Sequence, residues 1–490
     1  MACGAVSLLS ACGGAQRAPC DPVGLDFVPY SEPTPCAFET SYDVQVDCGL
    51  LHVAEVAGEP SACRLSIAWA RLTPTEPDPA AAPVFLLGGG PGDPLLSRMD
   101  DVVARMTKAA PHRVVIAHDP RGVGQSSPAL DCTDPAIRER GPIRSTAEWL
   151  ARCAAFHRER GQDLNQYRSR VLAGDVVALA DALEVRTFDL VGVSFGSKLA
   201  QTLAQAYPER LRAVVLDAAT PVETPLFEGP AGAARRALEA LFQACAADRA
   251  CTATHGDLAL AFQRTTDRLR DTPATIVVNE RRVDYGASEF VHSVLRLLQD
   301  GALLPAAPAF IREIERGEYA SVELLLGRAR APQTSVLMNS AVLCAEELPW
   351  NDRAEAAADL KRFPDYGKTS NLEQANDICA AISVAPEPAS VKAPLATALP
   401  ILATTGRFDP LSPARFWNDV PERFAHGTHL DFPDRGHGVL RHPCGQEVVA
   451  AFLEAPSSWA VPSCYEKLAP PPFVEASLPL IRAHLLPAHP

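Results

Sequence analysis

A chain of 490 residues with 47% apolar and 21% charged side chains has ample material for a packed core and too little charge for a disordered chain. Its net charge of −14 repels phosphate backbones and anionic lipid heads, which argues against nucleic-acid partners and against binding of a membrane surface. No apolar run approaches the roughly 20 residues that a transmembrane helix needs.

The first residues read Met1-Ala-Cys3-Gly-Ala-Val-Ser-Leu-Leu9-Ser-Ala-Cys12-Gly-Gly. Leu9-Ser10-Ala11-Cys12 resembles a bacterial lipoprotein cleavage box, in which the cysteine is acylated and becomes residue one. The segment lacks a basic stretch, and its apolar run is shorter than that of an ordinary leader. Residues 1–12 are expected to act as a signal segment, with lipidation at Cys12 as the one route to a membrane. The protein would then be exported, to the bacterial cell envelope or beyond it.

Fourteen cysteines are many for a reducing compartment, and none has the C-x-x-C or other spacing of a zinc site, so no metal is expected. Their spacing suggests local bridges instead: Cys20–Cys36 and Cys48–Cys63 near the front, then Cys132–Cys153, Cys245–Cys251, Cys344–Cys379 and Cys444–Cys464. Such a set belongs to an oxidising compartment.

Residues 73–83 carry repeated prolines and read as a loop. Short apolar runs bounded by turn residues follow, as buried parallel strands should: Val84–Leu87, Arg113–Ala117, Phe188–Val193, Ala213–Asp217, Leu399–Thr404 and His429–Phe432. Helical patterns separate them at Ser145–Arg160, Ala173–Leu183 and Lys198–Tyr207. This alternation predicts an α/β fold with a mostly parallel open sheet flanked by helices. It stops near Ala218 and resumes near Leu399. Residues 13–222 and 393–490 therefore read as the two parts of one core, and 223–392 as an inserted, mainly helical cap. The proline-rich ends, such as Leu468-Ala-Pro-Pro-Pro-Phe473, read as surface tails.

The most informative stretch is Phe188-Asp-Leu-Val-Gly192-Val-Ser194-Phe-Gly196, a β run ending in G-x-S-x-G with a helical pattern behind it. Strand, sharp turn and helix are what a nucleophilic serine of this type requires. The hydroxyl needs a base, and the base needs a carboxylate to orient it, in the chain order Ser, Asp or Glu, His. Asp409 follows the run Leu399–Thr404, and His437 stands between two glycines after His429–Phe432. Ser194, Asp409 and His437 are the expected catalytic residues, with Asp434 as reserve carboxylate and His426, His429 and His442 as poorer candidates for the base. An oxyanion hole needs two backbone N–H groups. Gly90, in the loop Gly88-Gly-Gly-Pro-Gly92, and Phe195 are the expected donors. Gly367-Lys368-Thr369 lacks the upstream glycine of a phosphate loop, so no cofactor is expected.

Gly88-Gly-Gly-Pro-Gly92, Asp119-Pro-Arg121-Gly-Val-Gly124-Gln-Ser126, the Ser194 turn, Asp409 and Gly436-His437-Gly438 together resemble the α/β-hydrolase family of proline iminopeptidases, in particular its exported tripeptidyl-aminopeptidase-like branch. The resemblance spans about residues 45–466 and departs at Gly88, where the family carries His. It implies an aminopeptidase that works through an acyl-enzyme, a bracing role for Arg121 and a disulfide-bearing C-terminal segment like Cys444…Cys464. It also implies that carboxylates from the cap hold the substrate's ammonium, for which Glu346 and Glu347 are the candidates, beside Trp350. A peptide or a small amide or ester is the expected partner. The same residues would serve an ester hydrolase of carboxylesterase or lipase type, and a silent relative of the fold would be a binding protein.

Overall fold

The computed structural model describes residues 21–139, 141–327, 334–366, 372–417 and 423–486. A nine-stranded sheet runs through the molecule. Its strands are β1 (Tyr30–Thr34), β2 (Val44–Ala54), β3 (Arg64–Pro74), β4 (Val84–Leu87), β5 (Val115–His118), β6 (Phe188–Val193), β7 (Leu211–Asp217), β10 (Ile401–Gly406) and β11 (Gly427–Phe432), while β8 (Ala274–Val278) and β9 (Arg281–Tyr285) form a separate hairpin. The spatial order is β1-β2-β3-β5-β4-β6-β7-β10-β11, antiparallel from β1 through β5 and parallel from there on.

The central strands are apolar throughout because helices cover both of their faces. Phe85 and Leu87 of β4 join Leu190 of β6 in a core beneath helices Thr146–Arg158, Ser169–Ala182 and Phe195–Ala206. Val84 and Leu86 point the other way, into a core closed by helices Met99–Ala109 and Pro443–Glu454. The parallel strands and the helices expected between them are present, with ends shifted by a few residues. The long antiparallel β2 and β3 were not anticipated.

Between β7 and β10 the chain forms an insertion of helices with its own core, in which Leu241, Phe290, Val294 and Phe310 are buried. The insertion is mainly helical and includes the β8–β9 hairpin. The C-terminal segment packs against it. Helix Ser477–Leu485 buries Ile481 in the core of the insertion, and buried Glu313 accepts hydrogen bonds from the N–H (2.7 Å) and hydroxyl (2.6 Å) of Ser477. Of the expected surface tail Leu468–Phe473, Ala469, Pro470 and Pro472 are exposed, while Leu468 and Phe473 pack against neighbouring cores; the last four residues lie outside the described ones.

Disulfides join Cys132 to Cys153, Cys245 to Cys251, Cys344 to Cys379 and Cys444 to Cys464, as the spacing suggests. The front of the chain differs. Cys36 is bonded to Cys48, so neither Cys20–Cys36 nor Cys48–Cys63 forms; Cys63 is disulfide-bonded, but not to Cys48. The cause is the β1–β2 pairing, which sets Thr34 opposite Cys48 and brings Cys36, two residues further on, within reach. Cys12 and Cys20 lie outside the described residues. Among the described residues no helix is long and apolar enough to cross a membrane.

Candidate active site

Ser194 sits between the end of β6 and helix Phe195–Ala206 with φ +57° and ψ −120°, a conformation costly for any residue with a side chain. Its neighbours explain how the turn closes. A Cβ on Gly192 would lie 2.2 Å from the carbonyl oxygen of Gly196, and one on Gly196 would lie 2.3 Å from that of Leu87. The turn is pinned by the Ser194 N–H donating to the Asp217 carbonyl (2.9 Å) and by the Ser197 hydroxyl donating to the Ser194 carbonyl (2.7 Å). Phe195 is the first residue of the helix, so its N–H has no acceptor within that helix.

Asp409 lies in the loop after β10 and is 2% exposed. One carboxylate oxygen accepts the N–H of Leu411 at 2.7 Å, and the other stands 2.8 Å from Nδ1 of His437. Burial works against a charged imidazole, but the Asp409 carboxylate, aided by the fields of Asp217 and Asp93, outweighs it and holds His437 above the ordinary value. The loop carrying His437 is wedged in place. Its N–H donates to the carbonyl of Gln299 (2.8 Å), at the end of helix Ala287–Gln299 in the insertion. A Cβ on Gly436 would lie 1.8 Å from the Leu298 carbonyl oxygen, so the glycine is there for close backbone contact.

One residue of this region escaped the sequence reading. Asp217, buried at the end of β7, accepts hydrogen bonds from the N–H groups of Val439 (2.9 Å) and Leu440 (3.2 Å) and from the hydroxyl of Thr404 (2.9 Å). It anchors the segment directly after His437. An acidic residue ending an otherwise apolar strand was the available signal. Of the reserve groups, Asp434 faces Arg435 (3.1 Å) and His442 (3.5 Å), and His429 bonds Thr405 (2.9 Å), so neither joins the Asp409–His437 pair.

Ser194, His437, Gly90 and Phe195 line one cavity of about 620 Å³ between the sheet edge and the insertion. The glycine loop passes close to the serine, since a Cβ on Gly89 would come within 3.3 Å of the Ser194 Cβ. Asp119 fastens the chain beyond that loop by accepting the N–H groups of Leu95 (2.7 Å), Leu96 (3.0 Å) and Gln125 (2.9 Å). Arg121 forms a buried two-point pair with Asp175 (2.7 and 2.6 Å) and donates to the Glu55 carbonyl (2.8 Å), the bracing that the resemblance implies.

The carboxylates expected to meet a substrate ammonium are both engaged elsewhere. Glu346 does not line the cavity; it accepts the N–H and the hydroxyl of Ser169 at the start of helix Ser169–Ala182, and burial pushes its carboxyl up to about 7. Glu347 does line the cavity, but it is paired with Lys198 (2.6 Å) and also with Lys392. Trp350 stands outside the cavity wall. Among the described residues no group of three His, Cys, Asp or Glu side chains could hold a metal ion.

Residues 82–440 match the α/β-hydrolase fold family. The chain is 24% identical over 426 residues to the serine protease Hip1 of Mycobacterium tuberculosis, a match covering 74% of this chain and 77% of Hip1. A shorter stretch of 64 residues is 44% identical to 2-hydroxymuconate semialdehyde hydrolase of a Pseudomonas species, covering 13% of this chain and 23% of that enzyme. Among solved structures, the proline iminopeptidase of Mycobacterium smegmatis superposes with a TM-score of 0.40 at 17% identity, over 82% of this chain and 97% of that one. With the larger part of its length inside the family match, this chain belongs to the α/β-hydrolase fold family.

Proposed function

We propose that the protein is an exported serine hydrolase that cleaves peptides through an acyl-enzyme. The observation that carries this reading is the buried Asp409–His437 pair, opening onto the same cavity as Ser194 on its strained turn. Ser194 attacks the substrate carbonyl while Nε2 of His437 takes the hydroxyl proton, and Asp409 holds Nδ1–H and the charge that develops on the ring. The N–H groups of Gly90 and Phe195 receive the oxyanion. His437 then hands its proton to the leaving group, and water enters along the same route to release the acyl group. No step calls for a cofactor.

Peptide cleavage is supported by the match to Hip1, named a serine protease, along most of its length. Export is supported by the disulfides, which persist in oxidising compartments, and attachment through a lipid on Cys12 goes with it. The insertion, residues 223–392, acts as the cap over the cavity.

A second reading, ester hydrolysis, is favoured by one observation. Glu346 and Glu347 are already satisfied by Ser169, Lys198 and Lys392, which weakens the aminopeptidase form of the proposal. Labelling with a fluorophosphonate probe tests the shared chemistry: the native protein should react and Ser194→Ala should not. A panel of p-nitroanilides and short esters, with free and blocked amines, then separates the two readings. Hydrolysis of esters alone would end the peptidase assignment, and labelling that survives Ser194→Ala would end both.

A further inference from the structure

The inner wall of the cavity carries a charge arrangement that the reaction itself does not use. Lys198, one helical turn beyond Ser194, lines the cavity and is 7% exposed. Among the described residues its ammonium has one hydrogen-bond partner, Glu347 at 2.6 Å, although an ammonium has three N–H donors. Glu347 shares its single negative charge with a second ammonium, that of Lys392, which also donates to the Thr224 carbonyl at 3.4 Å. Burial together with the nearby Lys198 lowers Lys392 to about 8, and burial raises the neighbouring carboxyl of Glu346 to about 7. Two ammonium groups, that of buried Lys198 and that of partly buried Lys392, thus face one committed carboxylate. The other charged groups of the wall, Arg415 and Glu355, are exposed at the rim, and half-buried Glu228 is occupied by the Asp352 N–H (2.6 Å).

The backbone beneath Glu347 is also unusual. Leu343–Glu347 forms a π-helical turn, a rare conformation that is frequent at functional sites. It is held by the Cys344–Cys379 bridge and directs Glu347 onto Lys198 from across the cavity.

We propose that Lys198 is a specificity residue that receives a carboxylate on the acyl part of the substrate, so that the enzyme prefers acyl groups bearing a negative charge a short chain away from the scissile carbonyl. The inference rests on the serine-hydrolase reading of the same cavity. In a peptide the charge belongs to an Asp or Glu whose carbonyl is attacked; in an ester it belongs to the half-ester of a short dicarboxylic acid. Helical geometry sets about 5.4 Å between successive turns, a span such a chain can cross. The arriving carboxylate takes an N–H of Lys198 that Glu347 leaves unused and offsets the excess positive charge of the cluster.

The test compares charged substrates with neutral isosteres: Glu p-nitroanilide against Gln p-nitroanilide, and monoethyl succinate against ethyl succinamate. The native enzyme should favour the charged member of at least one pair by about tenfold or more in kcat/KM, the value of one charge-assisted hydrogen bond. The pair that shows the preference identifies the source of the carboxylate. Lys198→Met should abolish the preference, Lys198→Arg should retain it, and Glu347→Gln, which releases Lys198 from its partner, should increase it. A purely structural cluster would move the ratio in one direction, or not at all, in both Lys198→Met and Glu347→Gln, and that outcome overturns the proposal. Turnover of the neutral members with no preference for charge overturns it while leaving the serine-hydrolase reading intact. Failure of all four substrates together with absent fluorophosphonate labelling overturns both.

Discussion

Replacing Asp409 by Asn tests the proton relay more sharply than removing the serine, because the structure dictates how the amide must sit. The N–H of Leu411 donates to one oxygen of Asp409 at 2.7 Å, so the asparagine must turn its carbonyl to that donor. Its NH2 then faces Nδ1 of His437, 2.8 Å from the position the second oxygen now holds. Nδ1 becomes an acceptor and the ring proton moves to Nε2, where it blocks transfer from Ser194. The expected loss in kcat is about 10⁴-fold, the size seen when a Ser-His-Asp site is forced into the wrong tautomer, or about 5.5 kcal/mol of barrier. KM should change little, since the amide occupies the same volume and touches no substrate. The native pH profile offers an internal check. His437 must be neutral to act as base and is held above the usual 6.5, so kcat/KM should rise with pH through a value above 6.5. Stopped-flow hydrolysis of a chromogenic ester from pH 5 to 9, with rates of fluorophosphonate labelling, measures both quantities. Asp409→Asn activity within tenfold of native would refute the relay as described here.

Gly436→Ala would place a methyl group 1.8 Å from the Leu298 carbonyl oxygen, so the His437 loop must shift; a displacement of about 1 Å costs on the order of 10²-fold in kcat/KM, measurable with the same ester. Native kinetics in that variant would show that the loop position is not critical. Arg121→Met strips a buried carboxylate, Asp175, of its partner and should lower unfolding stability by roughly 3–5 kcal/mol in urea titrations, with part recovered when Asp175 is made apolar as well. Glu346, raised to about 7 by burial, binds a proton in the folded state that the unfolded chain has released, so it subtracts stability as pH rises from about 4.5 through 7. Glu346→Gln should therefore gain on the native protein between pH 5 and 8, by at most about 3 kcal/mol. An equal midpoint difference at both ends would contradict the buried-carboxyl assignment.

The parts of the site that the sequence announces are those fixed by local sterics. Gly192 and Gly196 leave room for carbonyl oxygens a few residues away in space, and G-x-S-x-G records that constraint directly. What stayed hidden depends on distant partners. Glu346 and Glu347 look like free acids in the string Cys344-Ala-Glu-Glu-Leu-Pro-Trp350, because Ser169, Lys198 and Lys392 lie 177, 149 and 45 residues away from them. The Cys36–Cys48 bond follows from the register of an antiparallel pair whose strands alternate too weakly to be noticed beforehand. Asp217 was hidden for a related reason: its value lies in donors more than 180 residues further along the chain.

The hydrogen bond from His437 to the Gln299 carbonyl, with Gly436 pressed against Leu298, joins the proposed base to the insertion, other residues of which line the cavity. A graft that exchanged residues 223–392 for the equivalent region of another hydrolase would therefore transplant part of the catalytic alignment along with the specificity. On the proposed function, new substrates are more accessible through changes on the cavity-facing side of the insertion than through its wholesale replacement.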